Sequence, residues 1–161
     1  MERKIKELKL EGNVHFPGFV TPADLRALYR LCDFVLLPTL FEGVGLPLLE
    51  AFSESVPVAC ADIPAFREYG GDAVLFFDQT SPEAIARTIQ QMSGDIALRD
   101  LLRERAKMRS RLHSPEKTAR GYCALYRFAS GSRISEDDQA LIWEQVHGRP
   151  GLQMRDEFLR C

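Results

Sequence analysis

The sequence lacks several features that mark common functional classes. It has no excess of basic residues, since 21 Lys and Arg stand against 23 Asp and Glu, which argues against nucleic acid as a partner. It has no apolar run of the roughly 18 to 20 residues that a membrane-spanning helix needs. Its first residues are charged and do not resemble a secretory signal, so we expect a cytoplasmic location.

The residues that usually hold metals or form disulfides are few and scattered. They are Cys32, Cys60, Cys123, Cys161, His15, His113 and His147. The cysteines match no zinc or redox spacing, so reduced thiols are expected, with Cys32 and Cys60 in the core. The histidines have no ligand-like spacing, which favours structural or surface roles. We therefore predict no metal site, and we also expect no cofactor.

The composition is that of a soluble globular protein. Of the 161 residues, 45% are apolar and 27% are charged, which is enough to bury one core. Short apolar runs at 14–16, 34–37, 58–60 and 73–77 predict four strands, and helical patterns alternate with them. Strands alternating with helices indicate an α/β fold with a parallel sheet and right-handed crossovers.

The expected helices have recognisable first residues. Thr21 followed by Pro22 and Asp24 predicts an N-cap and a helix to about residue 31. Ser-Pro pairs at 81–82 and 114–115 predict helices to about residues 92 and 128, with a further helix over 96–112 between them. We place the main domain at 1–130 and a C-terminal tail at 131–161. Within the tail, Ser135 and Asp138 form a capping box before a short helix at 139–146.

The most informative stretch is residues 41–50, where two carboxylates bracket a glycine turn. Seven residues separate Glu42 from Glu50, at the predicted carboxyl end of a buried strand. If a helix begins near Leu46, Glu50 lies about one turn, or roughly 5 to 6 Å, inside it. The free amides at the start of the helix then favour an anion between the two carboxylates.

Each residue type in this stretch suits a phosphorylated sugar. An ionised carboxylate accepts hydrogen bonds from two hydroxyls at once, which matches a vicinal diol of a sugar or a ribose. Gly43 and Gly45 let the backbone approach a ligand without a Cβ in the way. The stretch therefore predicts a nucleotide-sugar site.

The same stretch resembles the E-x7-E motif of retaining GT-B glycosyltransferases, often called family 4 or glycosyl transferases group 1. Residues 32–39 are similar to the family's DxxxxPS strand, and residues 50–59 are similar to its EAMAxGxPVV helix and strand. Further similar segments lie at 14–29 and 68–76, and the resemblance covers residues 14–128. It implies part of the C-terminal half of a GT-B fold, a Rossmann-like domain with three layers.

The resemblance implies a role for each matching residue. Glu42 would bind hydroxyls of the transferred sugar and support its developing positive charge, and Glu50 would bind the ribose diol. The remaining binding residues are the amides of Gly43, Val44, Gly45 and Leu46 for the sugar and distal phosphate, and the backbone of Phe19 and Val20 for the base. The donor would be a UDP-, GDP- or ADP-sugar. Val44 departs from the family, where an aromatic residue is usual.

The resemblance also implies parts that this sequence does not contain. An acceptor-binding domain, in cis or on a partner chain, and a basic pair that clamps the diphosphate are both expected. We therefore expect a truncated donor domain that is inactive in isolation. The arginines between residues 103 and 111 form either a solvated helix face or a contact with an anionic membrane.

Two other functions compete with the transferase. One is a binding or docking module that keeps the fold without the chemistry, because a fold alone does not establish activity. The other is a glycosidase with Glu42 and Glu50 as acid and nucleophile, since such pairs lie about 5 to 9.5 Å apart. The glycine turn favours phosphate over a hydrolase site, so we rank the glycosidase last.

Overall fold

A computed structural model describes residues 2–147 of the chain. Within this part the chain forms two compact units, the first ending at Lys107 and the second beginning at Met108. The predicted boundary at residue 130 lies later than this division. The part of the predicted tail from residue 148 onward lies outside the described residues.

The helices and strands alternate as the sequence predicts. The strands are β1 (Val35–Leu37), β2 (Val58–Ala61) and β3 (Val74–Phe77). The helices are α1 (Glu2–Glu7), α2 (Pro22–Leu31), α3 (Leu46–Ser53), α4 (Pro64–Gly70), α5 (Pro82–Gly94), α6 (Ile96–Ser110), α7 (Pro115–Ala129) and α8 (Glu136–His147). A short 3₁₀ turn, Gly71–Ala73, joins α4 to β3.

The first unit is built on a parallel sheet in the order β1-β2-β3. Val58 in β2 pairs with Val35 of β1 on one side and with Val74 of β3 on the other. All residues of β2 are buried, as expected for the central strand of a sheet covered on both faces. The α/β class with a parallel sheet is thus confirmed.

The predicted strand count of four is wrong, because residues 14–16 do not form a strand. Val14 and Phe16 are both exposed, and in the described part of the chain no strand pairs with them. A strand of three residues is stable only when a neighbouring strand forms hydrogen bonds with its backbone, because an isolated extended segment is marginally stable in water. The apolar alternation at 14–16 therefore predicts a strand that the sheet does not include.

Alternating strand residues face two apolar clusters, which gives the unit three layers. On one face, Val58 and Cys60 pack with Leu48 and Phe52 of α3 and with Phe66 of α4. On the other face, a second cluster contains residues of β2, β3, α5 and α6. Its buried members are Ala59, Phe77, Met92 and Leu102. This arrangement confirms the three-layer, Rossmann-like interpretation.

The N-caps predicted from the sequence are present. The Thr21 hydroxyl accepts from the Asp24 amide at 3.2 Å and opens α2. Ser81 accepts from the Ala84 amide at 3.1 Å and opens α5. Ser114 caps α7 in the same way. Each cap satisfies a backbone N–H that the first turn of a helix leaves without a partner.

The second unit contains α7 and α8, which pack on each other. The predicted capping box opens α8, because the Ser135 hydroxyl accepts from the Asp138 amide and the Asp138 carboxylate accepts from the Ser135 amide, both at 3.1 Å. Arg127 of α7 pairs with the same carboxylate at 2.9 Å. One buried acidic side chain thus caps α8 and ties it to α7.

Candidate functional site

The loop between β1 and α3 carries the glycines of the predicted site. It follows the carboxyl end of β1 and enters α3 at Leu46, with Pro47 in the first turn as predicted. Gly45 is the N-cap residue and has a φ of 78°, in the left-handed region that favours glycine. The carboxyl ends of parallel strands are where open α/β sheets bind ligands. The fold thus places this loop at the ligand-binding edge of the sheet.

The two glycines of the loop differ in their surroundings. Gly45 is buried, and a Cβ at this position would overlap the ring of Phe66. Gly43 is exposed and has open space where a Cβ would lie. The missing Cβ of Gly45 therefore makes room for a side chain of the protein, and the approach of a ligand to the Gly45 backbone stays a prediction. Only at Gly43 does open space remain beside the backbone.

A pocket of about 310 Å³ opens beside this loop. Its lining residues are Leu37, Pro38, Thr39, Glu42, Pro47 and Phe66. Among them, Glu42 alone carries an ionisable side chain. Glu42, the predicted sugar-binding residue, therefore lines a small cavity whose walls are mostly apolar, as ligand pockets commonly are.

The backbone amides at the start of α3 are the next feature of the site. In the structure of residues 2–147, no protein acceptor is hydrogen-bonded to the amides of residues 43–46. Pro47 has no N–H, and the amides of Leu48 and Leu49 donate to the Gly45 carbonyl at 2.9 and 3.4 Å. The loop thus presents N–H groups at the positive end of the α3 dipole.

Glu50 lies one turn inside α3 and is exposed. The Tyr29 hydroxyl of α2 donates a hydrogen bond to Glu50 Oε2 at 2.9 Å. The same hydroxyl lies 3.5 Å from the Pro47 carbonyl oxygen. Burial and the hydrogen bond to Glu50 raise the pKa of Tyr29 well above its ordinary value. Tyr29 therefore stays protonated and keeps its hydrogen to donate.

Two ion pairs flank the site without entering it. Arg30 of α2 pairs with Glu54, the C-cap residue that follows α3, at 2.6 Å. Two guanidinium nitrogens of Arg67, on α4, donate to the two carboxylate oxygens of Asp62. Nε donates to Oδ1, and Nη2 donates to Oδ2 at 2.7 Å. Arg67 is therefore engaged in an ion pair within the chain.

The other predicted binding residues differ in exposure. Val44 and Leu46 have exposed side chains next to their amides. Phe19 is 96% exposed and Val20 is half-buried, in the segment just before α2. Neither is among the residues that line the pocket. Their contact with a base stays a prediction.

Sequence reasoning missed two residues of the site, Tyr29 and Phe66. Tyr29 lies on a predicted helix, and its apolar neighbours indicate only that its ring packs on the core. Phe66 lies on the short helix α4 and is buried. Neither contact has a local signal, because Tyr29 and Glu50 are 21 residues apart. A tyrosine on the helix before the site is the one sequence feature that would have pointed to Tyr29.

The arginine stretch predicted as a solvated or membrane-facing surface is partly paired within the chain. Arg103 binds Asp100 at 2.5 Å, and Arg105 donates to the Asp72 carbonyl at 2.8 Å. No helix in the described chain is long and apolar enough to cross a bilayer. The described residues also contain no group of three or more His, Cys, Asp or Glu side chains placed to hold a metal ion.

The chain is similar to known proteins over most of its length. The family model described as glycosyl transferases group 1 matches residues 1–109. O-antigen chain mannosyltransferase B of Escherichia coli is 35% identical over 106 residues, 66% of this chain. Serotype-specific mannosyltransferase WbdA of Escherichia coli is 34% identical over 131 residues, 81% of this chain. D-inositol 3-phosphate glycosyltransferase of Corynebacterium urealyticum is 30% identical over 129 residues, 79% of this chain.

These curated relatives are much longer than the segment that matches. The aligned segment covers 28% of mannosyltransferase B, 16% of WbdA and 30% of the inositol phosphate enzyme. The chain therefore spans less than a third of the length of each of these proteins.

Proposed function

Because this chain belongs to the glycosyl transferases group 1 family, we propose that it binds the nucleotide-sugar donor of a hexosyltransferase. Three features at one edge of the sheet support this proposal. They are the pocket that contains Glu42, the loop amides at the start of α3, and the exposed carboxylate of Glu50. The observation that carries the proposal is the set of amides at residues 43–46, which have no acceptor within the described chain.

The amides account for the diphosphate. Backbone N–H groups at a helix N-terminus bind phosphate through hydrogen bonds and through the positive end of the helix dipole. Gly43 adds an approach that no side chain obstructs. In this proposal the distal phosphate lies against residues 43–46, and the sugar lies beyond it in the Glu42 pocket.

The two carboxylates then serve opposite ends of one donor. A diphosphate separates the sugar from the ribose, so the groups that bind each need not share a cavity. Consistent with this, Glu42 lines the pocket and Glu50 is not among the described residues that do. Glu42 accepts hydrogen bonds from hydroxyls of the sugar and stabilises the positive charge that develops on the sugar. Glu50 accepts hydrogen bonds from the ribose hydroxyls. The base lies towards Phe19 and Val20.

The names of the relatives narrow the choice of donor sugar. Mannosyltransferase B and WbdA are both named for mannose transfer, so a nucleotide-activated mannose is the first donor to test. Transfer with retention of configuration follows from the family resemblance and is part of the proposal. So is acceptor binding by a part of the enzyme outside this chain, which the short share of each relative's length supports.

A cytoplasmic location also belongs to the proposal. The three described cysteines are free thiols, which is consistent with a reducing compartment.

The glycosidase alternative has less support from the geometry. A hydrolytic acid and nucleophile must face the same glycosidic bond. Glu42 lines the pocket, whereas Glu50 accepts a hydrogen bond from Tyr29 and is absent from the described pocket lining. A nucleotide-binding module without transfer activity uses the same groups as the proposed donor site, and an activity assay with an acceptor separates these two functions.

Titration calorimetry tests the donor site directly. GDP, UDP and ADP, and then GDP-mannose and UDP-glucose, are titrated into the full chain. We expect one nucleotide to bind in preference to the others and Glu50→Ala to weaken its binding about tenfold or more, as the loss of charge-assisted hydrogen bonds predicts. Glu104→Ala, an exposed acidic residue of α6, is the matched control and leaves binding unchanged.

Absence of binding by all three nucleotides would contradict the proposed function. Equal effects of Glu50→Ala and Glu104→Ala would contradict the assignment of the ribose site, because a general loss of negative charge would then explain both.

A further inference from the structure

The contact between Tyr29 and Glu50 joins the helix before the site to the helix of the site. The Tyr29 ring packs against the buried cluster of the sheet, so its position is fixed by the core. Its hydroxyl emerges at the exposed Glu50 carboxylate and donates to Oε2 at 2.9 Å. Within residues 2–147, Tyr29 is the only hydrogen-bond partner of that carboxylate.

One such bond leaves most of the carboxylate available. An ionised carboxylate has about four lone-pair positions on its two oxygens, and a phenol hydroxyl occupies one of them. A glutamate on an exposed helix face otherwise samples several rotamers, and ordering it on binding costs free energy. A fixed donor on Oε2 restricts the carboxylate before any ligand arrives and keeps Oε1 open.

We infer that Tyr29 is a positioning residue that orients Glu50 towards the ribose hydroxyls of the donor. The inference rests on the proposed function, because it assigns a second residue to the ribose site. Its consequence is selectivity, since the oriented carboxylate favours a nucleotide with ribose hydroxyls over one without them. Burial raises the pKa of Tyr29, so the donor hydrogen is present throughout the neutral range.

A purely structural role for the contact predicts a different result. The hydrogen bond would then serve to hold α2 against α3, as the Arg30–Glu54 ion pair also does at 2.6 Å. The ion pair joins the same two elements one turn further along and does not involve Glu50. Arg30→Gln therefore removes one tie between the helices while leaving the ribose site intact, which makes it the matched control.

The experiment compares each nucleotide with its 2′,3′-dideoxy form on the full chain by titration calorimetry. The probes are GDP, UDP and ADP, and the proteins are wild type, Tyr29→Phe, Arg30→Gln and Glu50→Ala. Tyr29→Phe keeps the ring in the core and removes only the hydroxyl, and circular dichroism checks that each variant folds. We expect Tyr29→Phe to reduce the preference for the ribonucleotide about three- to tenfold, the scale of one lost hydrogen bond to a charged group.

The dideoxynucleotide is expected to bind Tyr29→Phe as it binds wild type, and Arg30→Gln is expected to keep the wild-type preference. The inference is overturned if Tyr29→Phe keeps the wild-type preference for the ribonucleotide. It is also overturned if Tyr29→Phe weakens binding of the ribonucleotide and the dideoxynucleotide equally, because loosened packing of α2 on α3 would then explain the loss. Failure of the proposed function looks different, because wild type would then bind no nucleotide or show no preference, and Glu50→Ala would change nothing. In that case the role of Tyr29 at the ribose is rejected with it.

Discussion

The backbone of Gly45 lies against the ring of Phe66, closely enough that a Cβ on the glycine would overlap ring carbon Cε1. Phe66 is itself buried in the cluster that packs α4 on the sheet, so its ring has little room to withdraw. The glycine at the entry to α3 thus fixes how closely the loop approaches α4. Phe66 also forms part of the wall of the pocket that Glu42 lines.

Gly45→Ala is expected to destabilise the protein. The added methyl group overpacks a filled core, which costs about 1–3 kcal/mol, and the φ of 78° adds about 1–2 kcal/mol for a residue with a Cβ. Urea-induced unfolding measures the loss in free energy of unfolding. Gly43→Ala is the matched control, because its Cβ meets open space and should lower the free energy of unfolding by at most a few tenths of a kcal/mol.

The same pair of variants separates folding from binding. Gly43→Ala should weaken nucleotide binding while leaving the unfolding midpoint unchanged, since its methyl group projects where the diphosphate is proposed to lie. A Gly45→Ala protein as stable as wild type would show that the Phe66 ring yields, and the close approach would then not explain the glycine.

Glu42→Ala is expected to act on the sugar end of the donor alone. In calorimetry it should leave the affinity for the free nucleoside diphosphate within about twofold of wild type and lower that for the nucleotide sugar about tenfold, the scale of one or two hydrogen bonds to a carboxylate. Glu50→Ala should instead lower the affinity for both ligands by a similar factor. Equal losses for both ligands in Glu42→Ala would place that carboxylate at the nucleotide and contradict the assignment.

Local chemistry made much of the fold predictable. Thr21, Ser81 and Ser135 open their helices as predicted, because an N-cap is decided by a hydroxyl and an amide three residues apart. The entry to α3 at Leu46 followed in the same way from the glycine turn and Pro47. Interactions of this kind need no knowledge of the tertiary structure.

Contacts between segments that are distant in the sequence were not predictable from the local sequence pattern. The alternation at residues 14–16 favours a strand, but strand formation needs a neighbour, and in the described chain Val14 and Phe16 remain exposed. The Tyr29–Glu50 bond depends on how α2 packs across the end of α3, which no local pattern records. The packing role of Gly45 was not predictable for the same reason, since the ring it accommodates lies 21 residues further along the chain.

The cysteines should differ sharply in reactivity. Cys123 is exposed, whereas Cys60 is buried in β2, where burial raises the pKa of its thiol to about 12. Because the thiolate is the reactive form, a disulfide reagent at pH 8 should label Cys123 within minutes and Cys60 only after unfolding. Cys32 is half-buried with a raised pKa and should react at an intermediate rate.

This labelling is read by mass spectrometry in a Cys161→Ser background, which removes the cysteine outside the described residues. Adding urea should expose Cys60 in parallel with the loss of helical circular dichroism. Labelling of Cys60 in the native protein as fast as that of Cys123 would contradict its place in the sheet.

The capping box of α8 should make that helix sensitive to acid. The Ser135 amide donates to the Asp138 carboxylate, and this bond, with Arg127, holds the pKa of Asp138 below its usual range. A carboxyl whose pKa is lowered on folding stabilises the native state above its unfolded pKa, about 3.9 for aspartate, and loses that effect as pH falls through the folded value. Amide protection in α8 should therefore be constant from pH 7 to about 5 and decline below about 4.

Hydrogen exchange with mass spectrometry measures this decline as protection factors, which correct for the intrinsic pH dependence of exchange. Asp138→Asn keeps an acceptor for the Ser135 amide but removes the charge, so its α8 should be less protected at pH 7 and should change little on acidification. Ser135→Ala removes the hydroxyl that caps the Asp138 amide and leaves the Arg127 pair, so it should lower protection at every pH while keeping the acid-dependent step. The same acid-dependent step in Asp138→Asn would assign the titration to another carboxyl group, because the substituted side chain has no proton to gain in this range.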